Sequence, residues 1–242
     1  MSESLVEVLT TAPLTIHGRI VNASNSTMLV EMTQADAPAE PVLAVYKPQA
    51  GERPLWDFPY GSLHRREVAA YEVSHYLGWQ VVPPTILRDG PMGIGSVQLF
   101  IDHDPRRHYF VLLESDEHDD ALARMATFDL LINNADRKGG HVLLAPDGHI
   151  WGCDHGLAFH VETKLRTVIW EFGGDSISPE RCQDLRRLSA DLRADGGLRT
   201  TLSALLDDDE ITTLAGRADA LVRSGILPDP DEDARPYPWP PI

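Results

Sequence analysis

The sequence predicts an α+β fold, with a β-rich first part and a mostly helical second part. Two observations carry that expectation. Short runs rich in Val, Ile, Leu and Thr, separated by turn residues, recur through roughly the first hundred residues, with one helical pattern among them. From Glu114 onward, apolar residues instead recur at helical spacing over longer windows. Strands followed by helices, rather than strict alternation, is the order of an α+β chain. The 242 residues suffice for one large domain or for two lobes that share a cleft.

Residues 5–10 and 14–21 carry enough Leu, Val, Ile and Thr for strands. Asn22 to Thr27 is a small polar loop, and Met28 to Met32 reads as the return strand. Such a loop can lay backbone N–H groups on a phosphate, although most are plain hairpin turns. Thr33 to Pro41 is a polar connection. Val42 to Pro48 is a near-continuous apolar strand with Lys47 close to its end, where a lysine can snorkel to solvent. Gln49 to Gly61 is rich in Gly, Pro and aromatic residues and predicts an ordered loop. Ser62 suits an N-cap for a helix from about Leu63 to Leu77, with Gly78 as its stop. Ala69, Val73, Tyr76 and Leu77 form one apolar stripe on it. Ile86 to Arg88, a turn at Asp89-Gly90, and a strand over Gly95 to Ile101 complete the first part.

Asp102 to Arg107 is polar and contains Pro105. A boundary there gives an N-lobe over 1–101, a C-lobe over 102–227 and a proline-rich tail over 228–242. Ala121, Met125, Phe128 and Ile132 predict a buried helix, opened by the acids of Glu114 to Asp120. Ser178-Pro179-Glu180 is a helix start, and Cys182, Leu185, Ser189 and Leu192 follow at helical spacing up to Gly196-Gly197. Asp207 and Glu210 have the spacing of a capping box ahead of the stripe Ile211, Leu214, Ala215, Ala218, Leu221 and Val222. The tail is extended chain, either mobile or pinned by Tyr237 and Trp239.

The stretch Asn133 to Phe159 holds the chemistry. A polar loop with Asp136, Arg137, Lys138, two glycines and His141 runs into a strand at Val142-Leu143-Leu144. Asp147-Gly148 is a hairpin turn, and His149-Ile150-Trp151 returns to deliver Asp154. Asp136, His141 and Asp154 should meet at one end of this hairpin. Two acids and an imidazole suit a hard divalent cation plus a base. For any single aspartate, a turn or capping role is the plainer reading.

This segment resembles the catalytic segment of atypical kinases of the phosphatidylinositol 3-/4-kinase superfamily, most closely the type II 4-kinase branch. The family pattern is Asp-Arg, Asn five residues after the Asp, a hairpin, then Asp-x-Gly. Here Asp136-Arg137 and Asp154-His155-Gly156 match it, and His141 stands at the Asn position. Imidazole suits manganese or zinc better than magnesium. The resemblance covers about residues 14–160 and implies a two-lobed, atypical protein-kinase-like fold with ATP in the cleft. It implies that Lys47, in Val45-Tyr46-Lys47-Pro48, holds the nucleotide phosphates, and that Glu67 braces it, with Glu72 as the fallback partner. Ser24, Asn25, Ser26 and Thr27 would approach the phosphates. Backbone groups of Gln98 to Ile101 would meet adenine, with Phe100 nearby. Asp136 would orient or deprotonate the acceptor hydroxyl. Arg137 would position Asp136, stabilise the transferring phosphoryl group, or pair with a nearby acid. His141 and Asp154 would hold magnesium or manganese. His160 to Arg166 falls at the activation segment, where Lys164 and Arg166 are the only cations to grip an acidic acceptor, and Thr163 and Thr167 are candidate autophosphorylation sites.

The net charge of −16 argues against a nucleic-acid binder and against stable docking on an anionic membrane. No apolar run approaches the ~20 residues of a membrane span, and Met1 to Thr11 lacks the basic cluster of a signal peptide. Two cysteines, Cys153 and Cys182, make no disulfide framework, so a cytoplasmic location is expected. Cys153, beside Asp154, is either redox-sensitive or a buried inert thiol. The expected activity is ATP- and metal-dependent transfer of a γ-phosphate to a hydroxyl of a protein (itself included), a lipid or a small metabolite. The alternatives are a nucleotide-binding pseudokinase and a metal-dependent hydrolase using Asp136, His141, Asp154 and His155.

Overall fold

The structure, a computed structural model, describes residues 3–20, 25–33, 41–194, 196–231, 233 and 235–242. Ser24 and most of the Thr33 to Pro41 connection lie outside the described residues. Five antiparallel strands form one sheet in the order β1-β2-β3-β5-β4: β1 Leu14–Arg19, β2 Met28–Met32, β3 Val42–Pro48, β4 Thr85–Gly90 and β5 Gly93–Leu99. β3 is central, and Lys47 pairs with Ser96 of β5.

Residues 5–10, expected as a strand, belong instead to helix α1, Glu3–Thr11. Leu9 is wholly buried and joins Ala12, Val30, Met32, Ala44, Tyr46 and Val97 in a small core under the sheet. Arg88 Nη1 donates to Leu9 O (2.8 Å) and Ala12 O (3.0 Å), so a side chain from β4 satisfies carbonyls left open at the helix end. Tertiary contact overrides the strand preference of Val and Thr here.

α2 spans Leu63–Leu77 and ends at Gly78 with φ 72°, as expected. Two details differ. Ser62 makes no side-chain cap; its hydroxyl donates to Pro59 O, and Glu52 Oε1 accepts from His64 N–H instead. The helix is also buried on most sides rather than along one stripe, because it lies between β4 and β5 on one flank and two helices of the second part on the other. Arg66 is buried whole and bonds Ala158 O (2.6 Å) and Glu210 Oε1 (2.5 Å).

The second part is helical: α3 Tyr109–Leu112, α4 Asp119–Ile132, α5 Pro179–Arg193, α6 Gly197–Leu202 and α7 Asp208–Ser224. Ser178 Oγ accepts from Arg181 N–H, and Asp207 with Glu210 closes the expected capping box. One continuous apolar core joins α2 to α4, α5, α6 and α7. A two-stranded hairpin, β6 Val142–Leu144 and β7 Ile150–Gly152, sits at the cleft between sheet and helices. The tail is held by Pro236, whose carbonyl accepts from Thr167 N–H and Trp170 Nε1–H, and by Pro241, whose carbonyl accepts from Gly139 N–H (2.7 Å). Tyr237 and Trp239 do not pin it; they are 55% and 89% exposed. Among the described residues, no helix is long and apolar enough to cross a membrane.

Candidate active site

A cavity of about 580 Å³ lies between the sheet and the β6–β7 hairpin. It brings together Lys47, Glu67, Asp136, His141 and Asp154 from four separate stretches of chain. β3 supplies Lys47 and α2 supplies Glu67. The Lys47 ammonium bonds Glu67 Oε1 and, at 2.9 Å, Asp154 Oδ1. Glu72 is not needed as a partner. Glu67 Oε2 also accepts from His155 N–H at 3.0 Å, so α2 and the Asp154 loop share one carboxylate. Burial works against the charge on Lys47, but Asp154 and Glu67 outweigh it and hold the ammonium above its ordinary pKa. Lys47 in turn holds Asp154 well below the usual carboxylate range, against burial. Burial pushes Glu67 up, against the pull of Lys47.

The hairpin places Asp154 beside His141 as its pairing predicts. Cys153 N–H donates to His141 O (3.0 Å), and His141 Nε2 faces Asp154 Oδ2 at 3.4 Å. Asp154 has φ 61°, in the left-handed region that costs a non-glycine residue energy and clusters at functional sites. Half of its side-chain surface stays open to the cleft. Burial pushes the His141 ring down to about 4, so it is neutral near pH 7. Its Nδ1 accepts from Lys138 N–H at 3.3 Å, which puts the ring proton on Nε2. As it stands, the ring is a donor facing Asp154; ligation through Nε2 requires the proton to move to Nδ1. Among the described residues, no group of three or more His, Cys, Asp or Glu side chains forms a ready metal cage. A single ionised carboxylate open to the cleft does fit a magnesium or manganese ion that arrives on nucleotide phosphates.

Asp136 lines the cleft with its Oδ2 3.4 Å from Lys138 Nζ. Burial pushes its pKa up to about 6. Arg137, its neighbour, turns the other way. Its guanidinium is fully buried, forks onto Asp129, and donates to Cys153 O (2.9 Å) and to His155 Nε2 (2.6 Å). Of the roles expected for Arg137, pairing with an acid is the one observed. A contact with a transferring phosphoryl group is closed to it by burial. His155 is wholly buried against Arg137 and does not line the cavity, which removes one of the four side chains the hydrolase reading needs.

At the other rim, Asn25, Ser26 and Thr27 line the cavity. Ser26 N–H already donates to Gly51 O, and Asn25 Oδ1 accepts from Arg53 N–H, so the described end of this loop is tied to the 49–61 loop. A Cβ on Gly51 would stand 2.5 Å from Ser26 Cβ, so glycine is required for that approach. Gln98, Phe100 and Ile101 also line the cavity. Gln98 Nε2 donates to Thr85 Oγ1, while the Leu99 and Phe100 N–H groups donate to Pro84 O and Leu43 O. These two amides are therefore closed to adenine, contrary to the expectation for the whole Gln98 to Ile101 backbone. Lys164 pairs with Asp57 (3.2 Å) and lies over the Trp56 ring, so it is not an open cation. Thr167 is buried and bonded to Asp129, and so is no accessible phosphorylation site. Burial pushes the Cys153 thiol up to about 12, which makes it inert. Sequence reasoning passed over Lys138, Arg53 and the Glu52–His64 pair, all of which border the cleft or its key aspartate.

No family model matches the chain. Protein Rv2133c of Mycobacterium tuberculosis is 42% identical over 266 aligned positions, which cover 96% of this chain and 94% of that protein. The chain belongs to the Rv2133c family. The Rv2133c-family chain is also 28% identical to phosphatidylinositol 4-kinase gamma 4 of Oryza sativa subsp. japonica over 153 residues. That match covers 52% of the chain but spans about a quarter (26%) of the rice protein. Among solved structures, the Golgi casein kinase aligns with TM-score 0.56 at 16% identity, over 93% of this chain and 74% of that one. Hydra Fam20, solved with sugar, aligns with TM-score 0.57 at 16% identity, over 93% and 88%. A Golgi casein kinase structure with Mn and ADP bound aligns with TM-score 0.57 at 15% identity, over 99% and 80%. The Rv2133c-family chain therefore has an atypical-kinase-like fold. None of these likenesses bears on the type II 4-kinase branch.

Proposed function

We propose that this protein is an ATP- and divalent-metal-dependent phosphotransferase of the phosphatidylinositol 3-/4-kinase-like type, with its catalytic segment most like the type II branch. The observation that carries the reading is the Lys47 ammonium held between Glu67 and Asp154 across the cleft. That arrangement fixes a cation where nucleotide phosphates would lie and leaves an ionised carboxylate facing it. The division into an N-lobe over 1–101, a C-lobe over 102–227 and a tail over 228–242 belongs to the same reading.

Lys47 binds phosphate oxygens, and Glu67 keeps it aimed. Asp154, with His141 beside it, would hold a magnesium or manganese ion, which would supply charge neutralisation on the phosphates. Asp136 orients the acceptor hydroxyl and takes its proton. Lys138, 3.4 Å from Asp136, is placed to meet the transferring phosphoryl group in the role Arg137 cannot fill. Ile101 at the hinge meets adenine. Positioning and charge neutralisation supply most of the rate in such a reaction. The neighbour solved with Mn and ADP and the rice lipid kinase support nucleotide and metal as ligands. The acceptor is a hydroxyl of a protein, itself included at the exposed Thr163, or of a small metabolite. A phosphoinositide is less well supported, since Lys164 is already paired.

The test is incubation with γ-labelled ATP and manganese or magnesium, beside Asp136→Asn. Label on the protein or on an acceptor pool, lost in the variant, is the expected result. A second reading, nucleotide binding without transfer, is favoured by one observation: His141 stands as a donor to Asp154 rather than as a ligand beside it. Metal-dependent ATP binding with no label in either form would select it.

A further inference from the structure

The loop that carries Asp136, Lys138 and His141 is held from the core by one set of bonds and from the tail by another. From the core, Ala135 N–H donates to Leu157 O (2.8 Å), and the Arg137 side chain bonds Asp129 and Cys153 O. After Arg137 the chain runs through Gly139 and Gly140, which leave its backbone more freedom than other residues would. The single helical turn Gly139–His141 then brings His141 to Asp154. Lys138 N–H donates to the His141 ring and His141 N–H donates to Lys138 O (3.1 Å), so both of those bonds stay inside the turn. Gly139 N–H does not: it donates to Pro241 O in the tail at 2.7 Å. Gly139 is buried. A Cβ added to it would stand 3.0 Å from Phe110 Cε2 and 3.4 Å from Pro241 O, so α3 and the tail close over it together.

The tail grips the loop a second time through residues 166–168. Pro236 O accepts from Thr167 N–H (2.9 Å), while Arg137 N–H donates to Arg166 O (2.9 Å) and Val168 N–H to Arg137 O (3.1 Å). The tail does not line the cleft, so it is no plug. Its direct contact falls between two side chains of the site. Lys138 stands just before Gly139 and lies 3.4 Å from Asp136; His141 stands two residues after and lies 3.4 Å from Asp154. A shift of Gly139 would move both. Lys47 and Glu67, by contrast, sit on β3 and α2, which no hydrogen bond joins to the tail among the described residues. We propose that Pro241 is a positioning residue for phosphoryl transfer: its carbonyl, through Gly139 N–H, sets Lys138 against Asp136 and His141 against Asp154. The inference rests on the reading of the cleft as a phosphotransferase site.

The experiment compares the full chain with one that stops at Trp239, which removes the Pro241 carbonyl and keeps the Pro236 anchor. Three quantities are read with manganese present: transfer from γ-labelled ATP, calorimetric affinity for a non-hydrolysable ATP analogue, and hydrogen exchange at Gly139. The shortened chain should lose about 10- to 100-fold in kcat, the scale set by misplaced reacting groups. Its affinity for the analogue should stay within about threefold, and its Gly139 amide should exchange about 5-fold faster or more. An unchanged kcat overturns the proposal, and so does a rise, which would make the tail a brake. Nucleotide affinity lost in step with the rate overturns it as well, since the deletion would then loosen the whole cleft. If the shortened chain does not fold, Gly139→Ala, which crowds Phe110 and Pro241, should show the same split between kcat and affinity; an unchanged kcat there is equally fatal. These failures leave the kinase reading standing. A wild-type chain that binds the analogue and transfers no label ends that reading, and the positioning role with it.

Discussion

At the residue scale, burial decides what Asp136 can do. Its pKa is pushed up to about 6 by removal from water, with Lys138 pulling the other way. The folded group therefore keeps a proton over a range, from about 4 to about 6, in which an unfolded carboxyl has already lost it. In that window stability contributed by this group declines as pH rises. Activity that needs the carboxylate does the reverse and falls as pH drops through about 6. Phosphotransfer kcat/KM against pH should show an acid limb near that value, and Lys138→Met should move the limb upward. A limb near 4 that ignores Lys138 would remove Asp136 as the base. That Lys47, Glu67, Asp136 and Asp154 line one cleft was legible through the family resemblance of the segments that carry them: the end of an apolar strand, the first half of a helix, a polar loop and the end of a hairpin. The state of His141 was not, because its tautomer depends on a backbone N–H three residues away that only the turned chain brings to it.

At the element scale, the loop that carries Asp136 is held in shape by Arg137. Its guanidinium ties α4, through Asp129, to the end of β7, through Cys153 O, and to the Asp154 loop, through His155. Arg137→Met should leave Asp129 buried without its counter-charge, held only by Thr167 and Asn134, and cost about 3–5 kcal/mol. Chemical denaturation measures it, and a loss under about 1 kcal/mol would make the pair incidental. That Arg137 points into the core could not be read from sequence. An arginine beside an aspartate of the cleft has the same spelling whether it faces ligand or core, and the acid that captures it lies eight residues back on α4. The misread of residues 5–10 has the same origin. Leu, Val and Thr at that density serve a strand or a short helix equally, and the contacts that decide, Arg88 to Leu9 O and Ala12 O, come from 79 and 76 residues away. Hairpins and capped helices were legible at this scale because turn and cap chemistry is local: Asp147-Gly148, Ser178-Pro179 and Asp207 to Glu210 each carry their own partner.

At the scale of the whole molecule, the two parts have unequal anchoring. α2 sits in the large core shared with α4, α5, α6 and α7, while the sheet rests on the small core around Leu9, Val30 and Tyr46. Five of the six residues of β1 are exposed, so little apolar burial opposes its opening. Local stability follows buried contact, and β1 with β2 is therefore the part of the sheet that should open most readily. Lys47 and Asp154 draw the sheet toward the hairpin, and a nucleotide bound between them would add to that link only while the sheet is closed. Hydrogen exchange of the full chain should thus be fastest in β1 and β2 and slowest in α4, α5 and α7. With a non-hydrolysable ATP analogue and manganese at a hundred times the Kd, exchange in β2 and β3 should slow by up to about 100-fold, since ligand linkage at that excess contributes about 2.7 kcal/mol. Helix α5, which does not line the cleft, should change far less unless the molecule opens only as a whole. Equal slowing in α5 and the sheet would mean that the small core is no weak point and that the protein unfolds as one unit. No slowing anywhere would place the nucleotide outside the cleft that Lys47 and Asp154 define.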